Sequence, residues 1–155
     1  MIDTGALGNL MGSCFFMRVK TYATRFQLRS IYQRMSQALG VEGVGKNAQE
    51  CTHQGTLPVA LEDASVGEFT APIIENSEVP GILGLVRMEQ QRAIIDTFGK
   101  KYIVPGPNGV EMKLSPGSKI FNLKKAMSGH LMLPITKYEQ AVRSEHTTIQ
   151  KRSVW

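Results

Sequence analysis

Cysteine is scarce in this chain, with only Cys14 and Cys51 among 155 residues. That excludes a disulfide framework and makes a reducing, cytoplasmic setting the default expectation. No stretch approaches the ~18 uninterrupted apolar residues of a membrane helix, so no membrane partner is expected. The segment Ala6–Val19 contains Cys14, Phe15, Phe16 and Met17 but lacks the basic leader and cleavage context of a signal peptide. Histidine is limited to His53, His130 and His146. Cys51-Thr52-His53 brings two metal-capable side chains together, yet no second pair stands at zinc-like spacing, and no metal is expected. No flanking signature makes Cys51 and a histidine a nucleophilic pair. Gly5, Gly8 and Gly12 do not follow the spacing of a phosphate-binding loop, and no Gly-Lys-Ser/Thr follows them. No cofactor is expected. There is no internal repeat.

What is present points to strands and turns. Fifteen Gly and seven Pro punctuate recurrent Val, Ile and Leu. The length suits one domain with a real core. The net charge of +5 is unevenly spread. Thr4–Val41 holds Arg18, Lys20, Arg25, Arg29 and Arg34 and no acid, whereas Asn47–Val86 holds Glu50, Glu62, Asp63, Glu68, Glu75 and Glu78 and no Lys or Arg. A basic face can attract nucleic acid or an acidic partner, although the plain reading is a solvated helix face plus a basic tail.

From Asn9 to about Ala38 the pattern predicts helix. Phe15, Val19, Tyr22 and Phe26 recur every three or four residues, and Leu28, Ile31 and Met35 form a second run. Gly40–Gly45 breaks it with three glycines in six residues, as in a hairpin tip. Thr56–Leu61 and Phe69–Ile74 read as strands around a polar turn containing Asp63 and Gly67. Pro58 and Pro72 imply edge positions or irregular starts. Val86–Arg92 reads as a short helix. Further strands are expected at Ala93–Phe98, Tyr102–Val104, Val110–Leu114, Lys119–Leu123 and His130–Ile135. Tyr138–Trp155 reads as a charged tail.

The chemistry concentrates at Asp3-Thr4-Gly5-Ala6. Peptide hydrolysis without a metal or a nucleophilic side chain needs water activated by one carboxylate while a second donates a proton. Two carboxyls held that close share one proton and titrate as a pair. Such a pair needs a tight turn: Gly5 permits close backbone approach, Thr4 offers a hydroxyl, and Ala6 stays small. By itself the three-residue match is a weak signal.

Read in order, three segments make the signal more specific. An apolar residue precedes Asp-Thr-Gly-Ala (Ile2–Ala6), a Gly-rich stretch follows (Gly40–Gly45), and Ile82-Leu83-Gly84-Leu85 leads into a short helix. Ala93-Ile94-Ile95-Asp96 completes the series. Over roughly Ile2–Phe98 the chain resembles the retropepsin-like aspartic proteases of retroelements. The resemblance implies a mainly β fold, a closed β-barrel-like subunit, with a helical insertion after the catalytic turn and a short helix after Ile82-Leu83-Gly84. It implies an aspartic endopeptidase active as a homodimer, with Asp3 of each copy forming the dyad and Thr4, Gly5 and Ala6 supporting the turn. Gly43, Val44 and Gly45 would form a flap over an extended peptide substrate, and Ile82, Leu83 and Gly84 would pack beneath the turn.

The family carries a strand or more before Asp-Thr-Gly, whereas only Met1 and Ile2 precede Asp3 here. The expectation is an N-terminally truncated relative: either a fragment of a larger polyprotein or gene, or a fold that begins abruptly. The domain reading is residues 1–98 retropepsin-like, 99–136 a β-rich extension and 137–155 a tail. Asp96 lacks the following Thr-Gly and reads as a strand-end or turn residue rather than a second catalytic carboxylate. The alternative function is an inactive retropepsin-like module that dimerises or holds peptides. A third reading is a basic, nucleic-acid-associated segment of a retroelement polyprotein.

Overall fold

The computed structural model describes residues 1–43 and 48–135. They form two compact units, Met1–Glu111 and a second beginning at Met112. The first contains β1 (Met11–Gly12), α1 (Ser13–Thr24), β2 (Ile31–Val41), β3 (Gln49–Ala60), β4 (Val66–Ile74), α2 (Leu85–Gln90), β5 (Ile94–Asp96) and β6 (Lys101–Ile103). The second contains the short hairpin β7 (Lys124–Lys125) and β8 (Leu131–Met132). The class is mainly β, with one helix following the Asp3 turn and another following Gly84.

The main sheet runs β1-β4-β3-β2, with β1 parallel to β4 and the other pairs antiparallel. It is open: among the described residues no strand joins β1 to β2, so the barrel does not close. Alternation along β3 sends Cys51, Gly55 and Leu57 inward. Gly55 has a packing reason, because a β-carbon there would lie 2.5 Å from the Phe16 ring. Phe16 therefore seats α1 directly on the sheet, in a cluster with Met11, Leu57, Ala71 and Ile73. A second cluster joins Leu10, Cys51, Ile74 and Ile82.

The predicted helix is overturned beyond Thr24. Phe26 and Leu28 both donate their N–H to the Ala23 carbonyl, and Gln27 takes a left-handed φ of 60°. This closes α1 as a glycine would, but without the glycine that marks such an end in sequence. Ile31 and Met35 then lie in β2, an edge strand exposed over nearly its whole length. One exposed face leaves no core to impose strict alternation, so the apolar spacing imitated a helix. A register shift between Arg34 and Leu39 interrupts β2–β3 pairing.

Both prolines sit where one neighbouring strand is missing. Pro58 pairs with Glu68, but β2 joins β3 only up to Ile31↔Thr56. Pro72 pairs with Gln54, while β1 meets β4 only at Ile73 and Ile74. Each is locally an edge residue, so its missing N–H breaks no ladder there. The strands expected at Val110–Leu114 and Lys119–Leu123 do not form; both stretches are irregular, and a turn separates them in which Ser118 N–H donates to the Ser115 carbonyl at 3.2 Å. Gly67 lies inside β4 rather than in the turn before it. No helix of the described residues is long and apolar enough to cross a membrane.

Candidate active site

Asp3 opens a tight turn. Ala6 N–H reaches the Asp3 carbonyl at 3.3 Å, and Gly5 N–H donates to Asp3 Oδ1 at 2.8 Å. The side chain thus binds the backbone two residues ahead, a local arrangement that short Asp side chains favour. Asp3 is half-buried, Thr4 and Gly5 are exposed, and Ala6 is half-buried against the Leu10–Ile82 cluster.

The turn hangs on a segment eighty residues away. Asp3 N–H donates to the Leu83 carbonyl at 3.1 Å, and Leu83 N–H donates to the Met1 carbonyl at 2.8 Å, as Ile2 and Leu83 run parallel. The Met1 ammonium reaches the Gly81 carbonyl. Leu10 and Ile82 exchange both backbone hydrogen bonds, at 3.1 and 2.7 Å. Ile82 is buried, Leu83 is half-buried, and Gly84 lies against the Gly8 backbone. Two of the N–H groups that α2 itself cannot satisfy also point back: Leu85 donates to the Ala6 carbonyl at 2.8 Å and Val86 to the Leu7 carbonyl at 2.9 Å. These pairings satisfy orphan donors of the helix and fix the exit of the Asp3 turn.

Asn9 escaped the reading of the sequence. Its Oδ1 accepts Gly84 N–H and its Nδ2 donates to the Thr70 carbonyl, both at 3.0 Å. One side chain therefore joins the segment after the turn to α2 and β4. A lone Asn between Gly8 and Leu10 reads as a helix start, and nothing in its neighbours signals a bridge.

Gly43 stands beyond the end of β2 with a φ of 89°, exposed, where a side chain would be strained. Val44 and Gly45 lie outside the described residues. Asp96 is engaged in its own turn, accepting Gly99 N–H at 2.8 Å. Cys51 is fully buried, and burial followed by the nearby Glu75 charge pushes its thiol up. That is the reverse of an activated nucleophile. His53 stacks on Tyr32 with ring centroids 4.7 Å apart. Among the described residues no group of three or more His, Cys, Asp or Glu could hold a metal. A groove of about 1410 Å³ is lined on one side by Phe15, Val19, Leu57 and Phe69 of α1 and the sheet, and on the other by Arg87 of α2 and Tyr102 of β6. It touches Met1, Ile2 and Leu83 but not Asp3.

No family model and no curated protein matches the chain. Among solved structures, the chain is similar to the retroviral protease-like domain of Ddi1 from Leishmania major. The similarity covers 67% of this chain and 75% of that one, at 20% identity and a TM-score of 0.45.

Proposed function

We propose that this chain supplies one half of an aspartic endopeptidase site, with Asp3 from each of two copies forming the dyad. The observation that carries the reading is the held carboxylate: Gly5 N–H fixes Asp3 Oδ1 at 2.8 Å on a turn anchored to Leu83. A carboxylate that must share a proton with a symmetry mate needs such a fixed position, because a coupled pair depends steeply on separation.

In this mechanism one Asp3 is ionised and the other protonated. The ionised carboxylate takes a proton from water as its oxygen attacks the scissile carbonyl carbon. The protonated one gives its proton to the carbonyl oxygen, forming a gem-diol. Collapse of the gem-diol breaks the C–N bond as the amine nitrogen gains a proton from the carboxyl that took it from water, and a diol hydroxyl returns a proton to the other carboxylate. The Asp3 pair regains its single shared proton. Gly43, Val44 and Gly45 are the proposed flap over an extended peptide, while Ile82, Leu83 and Gly84 support the turn and do no chemistry.

The test is cleavage of a diverse peptide library at mildly acidic pH by the purified chain and by Asp3→Asn, with sedimentation to establish the dimer. Pepstatin-sensitive cleavage that vanishes in the variant is the expected result. Cleavage that persists in Asp3→Asn would overturn the assignment. No cleavage by either protein would favour a retropepsin-like module that holds peptides or dimerises without catalysis.

A further inference from the structure

Helix α1 has two unlike faces. Phe16 and Ala23 are buried, with Phe15 and Val19 packed against the core. The opposite face carries Met17, Arg18, Thr21, Tyr22 and Arg25, which line a shallow surface groove of about 370 Å³. Tyr22 and Phe26 are each 61% exposed, with ring centroids 5.3 Å apart and planes tilted by 59°. The helix bears no acidic residue, and none occurs anywhere from Thr4 to Val41.

We propose that this outer face of α1, together with Arg25 and Phe26 in the turn that closes it, binds single-stranded nucleic acid, with Tyr22 and Phe26 stacking on bases and Arg18 and Arg25 holding phosphates. The site is separate from Asp3 and does not depend on the peptidase reading.

Charge complementarity selects the occupant. Arg18 lies one helical turn before Tyr22 and Arg25 directly precedes Phe26, and both guanidiniums offer forked donors that match phosphate oxygens. Neighbouring exposed rings give bases a face to stack on, whatever their sequence. The Arg18 contact to Glu78, at 3.8 Å between two mostly exposed side chains, holds its guanidinium only weakly and can yield to a phosphate. A lipid surface fits less well, because Phe15, Phe16 and Val19 are turned to the core and leave only Met17, Tyr22 and Phe26 exposed among the arginines, too few to make an apolar face. An acidic helical peptide fits less well too, because the groove is shallow and short and offers no row of apolar pockets for anchors at helical spacing.

The experiment is fluorescence anisotropy of a labelled ten-nucleotide oligouridylate titrated with the full chain from 50 to 300 mM KCl. Affinity should fall with salt, with a log–log slope of about −0.7 for each phosphate neutralised. Tyr22→Ala with Phe26→Ala should weaken binding at least about fivefold while leaving the slope unchanged. Arg25→Gln should reduce the slope by about 0.7. Tyr22→Phe, which keeps the ring, should bind as the parent does. If the double variant fails to fold, Arg25→Gln answers through the slope. The proposal is overturned by absence of binding at 50 mM KCl, or by binding that neither variant set changes. It is also overturned if polyglutamate or phosphatidylserine vesicles bind as tightly with the same dependence on Tyr22 and Arg25.

Discussion

A β-carbon on Gly84 would stand 2.2 Å from the carbonyl oxygen of Gly8, so the backbones of the Asp3 arm and of the Ile82–Leu85 arm meet with no room for a side chain. The reverse does not hold, since a β-carbon on Gly8 would meet nothing within 4 Å. One glycine is obligatory at this crossing and the other is not.

Gly84→Ala should therefore destabilise the protein by about 1–3 kcal/mol, the usual range for forcing atoms into filled space, and the obstacle here is rigid backbone. Gly8→Ala should change stability by no more than about 0.5 kcal/mol. Urea denaturation of both variants checks the asymmetry. Equal losses would mean that the two arms do not cross as described.

Asn9 should matter because its amide serves two elements together. In Asn9→Ala the buried Gly84 N–H loses its acceptor, whereas the Thr70 carbonyl, on an exposed residue, can turn to water. An orphaned buried donor costs about 1–3 kcal/mol, so the variant should lose stability on that scale. If the Asp3 turn works as proposed, peptide cleavage should fall more than the fraction of folded protein does. A stability change below about 0.5 kcal/mol would show that water replaces the Asn9 oxygen.

What the sequence made legible follows from which signals are local. The Asp3 turn, the helix after Gly84 and the β3–β4 hairpin carry their determinants in neighbouring residues: an Asp before Gly, a Gly at a helix start, alternating apolar residues. The end of α1 does not, because Gln27 adopts a conformation that sequence assigns to Gly or Asn. The β2 segment imitates a helix for a related reason: an edge strand with little buried surface lacks the period-two pattern that burial enforces. Asn9 and Gly55 stayed invisible because their partners, Thr70, Gly84 and Phe16, come from distant elements. The prolines were legible but incompletely so. They imply edge positions or irregular starts, whereas β3 and β4 are central in the sheet and only the staggered ends of β1 and β2 leave a local edge at each proline.

The two thiols should separate cleanly in alkylation. Cys51 is fully buried with a raised pKa, so iodoacetamide should label it only after unfolding. Cys14 is half-buried, and its thiol is held up first by the hydrogen bond to Glu78, then by partial desolvation and by the same carboxylate's charge. Glu78→Gln removes the carboxylate and should speed labelling of Cys14 at pH 8. Arg18→Gln should slow it, because the guanidinium favours the thiolate. Peptide mass mapping over a time course reads each rate. Faster labelling of Cys51 than Cys14 in the native protein would contradict the packing of the Leu10–Ile82 cluster.

Asp63 should tie the stability of the β3–β4 turn to pH. The Ser65 hydroxyl and N–H both donate to its Oδ1, at 2.6 and 3.0 Å, and hold its pKa below the ordinary carboxylate value. A carboxyl depressed in the folded state adds stability above its unfolded pKa of about 3.9 and loses that contribution as pH falls through the folded value. The difference between the parent and Asp63→Ala should accordingly be constant from about pH 5 upward and shrink below about pH 4. The effect should be small, because the turn is exposed to solvent. Thermal unfolding across pH 2.5–7 measures it. A difference that grows on acidification would mean that the Ser65 contacts favour the protonated carboxyl and that Asp63 donates rather than accepts.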